Sequence, residues 1–152
     1  MRDLKNIFIE PTGKTPQVDF NFLTGDLILS GRSIPENATE IYDPLFKWVV
    51  EYVRSPRQTT NFRLNLEYFN TASSIWLAKM VKALSRISDP DNVLYIHLYF
   101  SVEEFDNMET EDLKDALAPV VDIVGDSVIS IGVKIYGMDD KGEIIKDSII
   151  LL

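Results

Sequence analysis

Three side-chain hydroxyls, on Thr71, Ser73 and Ser74, cluster where one hydrophobic rhythm gives way to another. Before them, Phe62, Leu64, Leu66 and Tyr68 alternate with Arg63, Asn65, Glu67 and Phe69, mostly the period of two of a strand with one better-buried face. After them, Leu77, Val81 and Leu84, and likewise Trp76, Met80, Ala83 and Ile87, recur at helical spacing, so this helix is apolar around much of its surface. A hydroxyl at such a junction can do two kinds of chemistry. It can cap the helix by accepting from first-turn amides, a role open to both Asn70 and Thr71. It can also carry a phosphate, because a helix N-terminus offers unpaired N–H donors and a partial positive charge. The junction by itself leaves both open.

Other chemistry is hard to assemble from these residues. The chain has no cysteine, hence no disulfide, thiolate nucleophile or thiolate metal site, which fits a reducing compartment. His97 is the single histidine, on the Tyr95/Tyr99 side of the run Val93–Phe100, and with no nucleophile paired to it in sequence it reads as a packed or surface side chain. The glycines are scattered, with no G-x-x-x-x-G-K phosphate loop and no H-E-x-x-H metal pattern. Carboxylates crowd the span Glu103, Glu104, Asp106, Glu109, Glu111, Asp112 and Asp115, but this run reads as solvated, or as a partner-binding face, rather than as a pocket that shifts a pKa for acid/base work. The expectation is a protein that is not an enzyme and needs no cofactor or metal.

The formal net charge of −9 argues against nucleic acid and for partners with basic surfaces. Residues 1–6 lack an apolar h-region, and no apolar run approaches the ~20 residues that span a bilayer. A soluble, cytoplasmic protein without direct membrane insertion is expected.

The elements that must position the junction follow from the same periodicities. Ile7–Pro11 reads as a short edge strand, and 17–23 followed by Asp26–Ser30 as a hairpin turning at Thr24-Gly25. Gly31–Asn37 then breaks the strand pattern, and Asn37 with Glu40 has capping-box spacing. Ile41, Leu45, Trp48, Val49, Tyr52 and Val53 form an amphipathic stripe interrupted by Pro44, which predicts either a kink or a short turn followed by a helix from Pro44 to Arg54. A helix near Glu111–Leu117, capped by Thr110 and limited by Pro119, precedes a terminal hairpin in which Ile129, Ile131, Val133 and Ile135 share a face. Hairpin, helix, strand, helix, strand implies a parallel crossover and an α/β fold, a mixed β-sheet with helices packed on it. At 152 residues a single domain is expected.

Three segments, in order and spacing, carry a family resemblance: Thr15-Pro16-Gln17-Val18-Asp19-Phe20, Gly31-Arg32-Ser33-Ile34-Pro35-Glu36-Asn37 and Leu66-Glu67-Tyr68-Phe69-Asn70-Thr71-Ala72-Ser73-Ser74. Together with Tyr42, Pro44, Trp48 and Tyr52, they resemble the SiaC family of bacterial regulatory phosphoproteins over residues 5–101. The resemblance implies a STAS-like fold of the anti-sigma-factor-antagonist type. It also implies a switch between a Ser/Thr kinase and a PP2C-type phosphatase, whose unphosphorylated form activates a target such as a diguanylate cyclase in cyclic-di-GMP signalling. It places the phosphoacceptor on Thr71, with Ser73 and Ser74 as secondary candidates because Ala72 stands where many members carry serine. After Ser101 the chain departs from the family's pattern, with an acidic segment and short helix over 102–127 and an extra C-terminal hairpin expected over 128–152. Arg32, Ser33, Glu36 and Asn37, with Tyr68 and Asn70, are candidates for the partner surface, provided that parallel strands bring their turn beside Thr71; the turn, proline and cap also have purely local roles. Two alternatives stand beside the switch: a constitutive protein-binding domain without phosphoregulation, and a small-molecule-binding α/β domain.

Overall fold

The stretches of period two become the strands of one mixed seven-stranded sheet. The computed structural model describes residues 4–108 and 121–152. In chain order the elements are β1 (Ile7–Ile9), β2 (Gln17–Asn21), β3 (Asp26–Ser33), α1 (Ala38–Tyr52), β4 (Thr59–Phe69), α2 (Thr71–Leu84), β5 (Val93–Ser101), α3 (Val102–Asn107), β6 (Ser130–Met138) and β7 (Ile144–Leu151). Spatial order equals chain order. Strands β3, β4, β5 and β6 run parallel, and β1–β2–β3 and β6–β7 add antiparallel pairs at the two edges.

Register gives the sheet two different faces. Leu27 lies beside Phe62, Phe62 beside Ile96 and Ile96 beside Val133, and this row is buried together with Tyr42, Leu45, Trp48 and Tyr52 of α1 and Leu77, Met80 and Leu84 of α2. The next row, Ile28, Arg63, His97 and Lys134, points the other way. Successive right-handed crossovers between neighbouring strands put their helices on the same side of a sheet, which is why one face is apolar and the other polar and aromatic. At the turn into β3, Gly25 has a φ of 80° and a Cβ there would lie 2.5 Å from the Thr59 carbonyl oxygen, so this turn requires glycine.

Pro44 neither divides α1 nor starts it. The helix runs unbroken from Ala38 to Tyr52, with Asn37 Oδ1 accepting from the Glu40 amide at 3.4 Å. An interior proline costs about 3 kcal/mol. Burying Tyr42, Leu45, Trp48, Val49 and Tyr52 returns about 1.5–3 kcal/mol each, which outweighs that cost.

Three further features differ from the sequence reading. Strand β3 does not stop at Ser30 but continues to Ser33, because Gly31 takes a φ of 98° at a register shift where Gly31 pairs with Leu66 and Arg32 with Tyr68. Glu67 is the extra residue, and a bulge with a glycine keeps the strands paired while re-aiming their side chains. Helix α3 is present where only an acidic run was read. Its signal is Ser101-x-x-Glu104, with Ser101 Oγ accepting from the Glu104 amide at 3.2 Å and donating to its carboxylate at 3.1 Å. The C-terminal hairpin forms, yet β6 is an interior strand parallel to β5, with Ile131, Val133 and Ile135 buried. Only β7 is an edge. The helix expected near Glu111–Leu117, with Thr110 and Pro119, lies outside the described residues.

Candidate functional site

The junction is built by Asn70, which ends β4 and caps α2. Its Oδ1 accepts from the Ser73 amide at 2.9 Å and from Ser73 Oγ at 2.7 Å, while its Nδ2 donates to the Pro35 carbonyl at 3.2 Å. The Asn70 amide in turn donates to the Ser33 carbonyl at 2.9 Å. One asparagine therefore fixes both the helix start and its distance from the Gly31–Asn37 turn.

Behind it lies a network of buried hydroxyls. Ser73 and Ser33 are both fully buried, and their Oγ atoms are 2.8 Å apart. Ser73 Oγ also lies 3.0 Å from the Ser33 carbonyl oxygen, and Ser33 Oγ bonds to the Tyr42 hydroxyl on α1. Burial pushes the Tyr42 phenol pKa up, against the opposing pull of its Ser33 and Ser73 bonds, so it stays protonated. These bonds satisfy polar groups that would otherwise be costly inside the protein.

Thr71 is left outside the network. Asn70 takes the cap, so Thr71 is the first helical residue; it is exposed, and its hydroxyl has no hydrogen-bond partner among the described residues. The Thr71 and Ala72 amides are likewise uncommitted, whereas those of Ser73 and Ser74 bond to Asn70. Ser74 is half-buried and its Oγ donates to the Thr71 carbonyl at 2.7 Å.

The candidate partner residues separate in space. Arg32 and Tyr68 stand side by side on β3 and β4, the guanidinium 5.5 Å from the ring centroid and 3.4 Å from the Glu67 carboxylate. Tyr68 is 63% exposed, and Phe69 beside it 55%. Glu36 and Asn37 are exposed on the turn, Glu36 paired with Lys14 at 3.0 Å and Asn37 engaged in capping α1. Ser33, expected on that surface, is instead buried, because β3 continues through the bulge and turns it towards α1 and α2. The turn itself does lie beside the Thr71 loop.

A second constellation, on the face opposite the helices, was not legible beforehand. His97 is 1% exposed, its Nε2 2.7 Å from Asn61 Oδ1 and its Nδ1 2.7 Å from the Tyr136 hydroxyl. Since Asn61 Oδ1 can only accept, Nε2 carries the proton and Nδ1 receives one from Tyr136. Arg63 Nη1 lies 3.4 Å from the same Nδ1 and donates to the Tyr99 hydroxyl at 2.9 Å. Burial first, then the charges of Arg63 and Lys134, lower the His97 pKa to about 3, so the ring is neutral at physiological pH. Among the described residues no serine or threonine hydroxyl bonds to it, and no group of three or more His, Cys, Asp or Glu is placed to hold a metal ion. Period two put His97 on the right side of its strand; its partners lie 34 to 39 residues away, and no local pattern signals them.

A model of the SiaC family, whose members are SiaC family regulatory phosphoproteins, matches residues 9–124, a span that takes in the junction and stops short of the β6–β7 hairpin. An uncharacterized protein of Pseudomonas aeruginosa strain UCBPP-PA14 is 28% identical over 86 residues, 57% of this chain; the match spans 63% of that relative, under two thirds of its length. In structure, the chain is similar to apo-SiaC from Pseudomonas aeruginosa, with a TM-score of 0.62 and 18% identity over 85% of this chain and 98% of that one. It is also similar to a chain of the crystal structure of diguanylate cyclase SiaD in complex with its activator SiaC from the same organism, with a TM-score of 0.64 and 18% identity over 86% of this chain and 99% of that one. At these identities the structural likeness establishes the fold.

Proposed function

This chain belongs to the SiaC family of regulatory phosphoproteins, and on that premise we propose that it is the phosphorylation-controlled member of a cytoplasmic partner switch, without enzymatic activity of its own. A Ser/Thr kinase modifies Thr71, a PP2C-type phosphatase restores it, and the unphosphorylated form binds and activates a diguanylate cyclase. The observation that carries this reading is the contrast within the junction: Thr71 is exposed with an unengaged hydroxyl, whereas Ser73 is fully buried and bonded to Asn70 and Ser33. A kinase must seat the acceptor hydroxyl against a nucleotide, and only an exposed side chain allows that. Support for the cyclase as target comes from the SiaC that activates SiaD in a structure of the same fold.

Energetics favour a switch of surface over a switch of fold. A phosphate brings about −1.5 to −2 charge, and a helix N-terminus stabilises a negative charge by only about 0.3–2 kcal/mol. A docked partner that buries the same charge unpaired loses about 3–5 kcal/mol. The interface therefore feels the modification more than the domain does. Arg32, Tyr68, Glu36, Asn37 and Asn70 surround the loop and form the partner surface in this reading, with Ser33 acting from beneath.

The test combines phosphosite mapping with affinity for the cyclase. Kinase treatment is expected to add one phosphate, at Thr71, and to weaken cyclase binding at least tenfold, while Thr71→Ala binds like the unmodified protein with or without kinase. Phosphate on Ser73 or Ser74, or equal weakening of the alanine variant, overturns the assignment.

A further inference from the structure

The ladder between β4 and β5 ends at Leu64↔Leu98, but neither strand ends there. Strand β4 continues through Asn65–Phe69 paired only with β3, and β5 through Tyr99–Ser101 paired only with β6. The sheet thus forks. Residues 65–69 and 99–101 line one cleft of about 680 Å³, whose lining also takes in Met138 and Asp139. Backbone groups directed into the fork have no strand partner among the described residues, so both walls are short open edges inside a sheet, and such edges take up an extended chain.

We infer that this fork receives an extended segment of the partner protein, added as a short strand against the outer ends of β4 and β5. The inference rests on the partner-switch reading and locates its contact. Five overhanging residues of β4 at about 3.3 Å each accommodate a segment of comparable length. Charge states its chemistry: Arg32 is matched by Glu67, while Glu104, which accepts from Ser101 Oγ, and Asp139, which accepts from the Lys141 and Glu143 amides, have no ion-pair partner among the described residues, so the segment carries a basic residue between apolar ones that meet Tyr68 and Phe69. The same strand leads through Asn70 into Thr71, which places the modification at the fork's edge.

Amide hydrogen exchange on the full-length chain, alone and with the diguanylate cyclase used to test activation, decides the matter. Amides of 65–69 and 99–101 that point into the fork are expected to exchange fast in the free chain and at least tenfold more slowly with the cyclase, on both walls, and to stay fast when the chain is phosphorylated on Thr71. If the cyclase binds and neither wall is protected, the docking site is wrong while the switch stands. Protection that rises with concentration of the chain alone makes the occupant a second copy and also overturns the inference. Absence of cyclase binding overturns both readings.

Discussion

His97 shows how a buried, hydrogen-bonded side chain makes stability depend on pH. Its pKa falls from 6.5 in a free side chain to about 3, so the folded protein excludes a proton that the unfolded chain takes up once the pH drops below about 6.5. Stability from this residue is fully present above pH 6.5 and is lost as pH falls towards 3, by at most about 1.4 kcal/mol per pH unit. Urea unfolding of His97→Gln at pH 7 and pH 5 is expected to show a flatter pH dependence than wild type; an unchanged slope would refute this account. Asn70 works through geometry instead. Asn70→Ala removes the cap, the bond to Pro35 and a partner of buried Ser73, and loses about 2 kcal/mol by denaturant unfolding. Asn70→Asp keeps the capping oxygen and adds a charge that the helix start favours, so its loss should be smaller.

Elements differ in how much of the core they own, and the C-terminal hairpin makes this plain. Strand β6 contributes Ile131, Val133 and Ile135 to the core and pairs along its length with β5, whereas β7 is largely exposed on both faces. Deleting 128–152 uncovers the β5 edge together with apolar surface beneath it and should drive aggregation, seen as early elution in size-exclusion chromatography. A soluble truncated chain that melts at the wild-type temperature would make the hairpin a dispensable appendage. Helix α2 makes the complementary point. Its core face through Leu77, Met80, Val81 and Leu84 fixes where its first turn sits, and Asn70 fixes what that turn exposes.

For the molecule as a whole, the charge of −9 and the carboxylates at the fork favour a basic partner surface, so association with the cyclase should slow as ionic strength rises from 50 to 500 mM at roughly constant dissociation rate. Stopped-flow binding measures this, and a salt-independent association rate would remove charge from the explanation. Among the described residues no helix is long and apolar enough to cross a membrane. Several of these features were readable along the chain. Alternation in Phe62–Tyr68 and in Ile129–Ile135 specified strands, and in the second its buried face, and helical spacing after Thr71 specified α2, because periodicity depends only on neighbours; the face expected to be better buried in the first gives out along the strand, with Phe62 buried, Leu64 and Leu66 half-buried and Tyr68 exposed. Gly31 was misread for the same reason: a glycine signals a break locally, whereas its pairing with β4 across a bulge makes it part of a strand. The residues around Thr71 could be named in advance, but their roles could not be divided. Only the parallel crossover that brings Ser33 onto Ser73, 40 residues away, decides which hydroxyl is buried and which is offered to solvent. The same holds for His97 with Asn61 and Tyr136, and for the fork between β4 and β5. Sequence by itself determined most of the elements and their apolar faces; tertiary structure decided where β3 ends and which polar groups those faces enclose, because hydrogen bonds between distant strands leave no periodic trace in the chain.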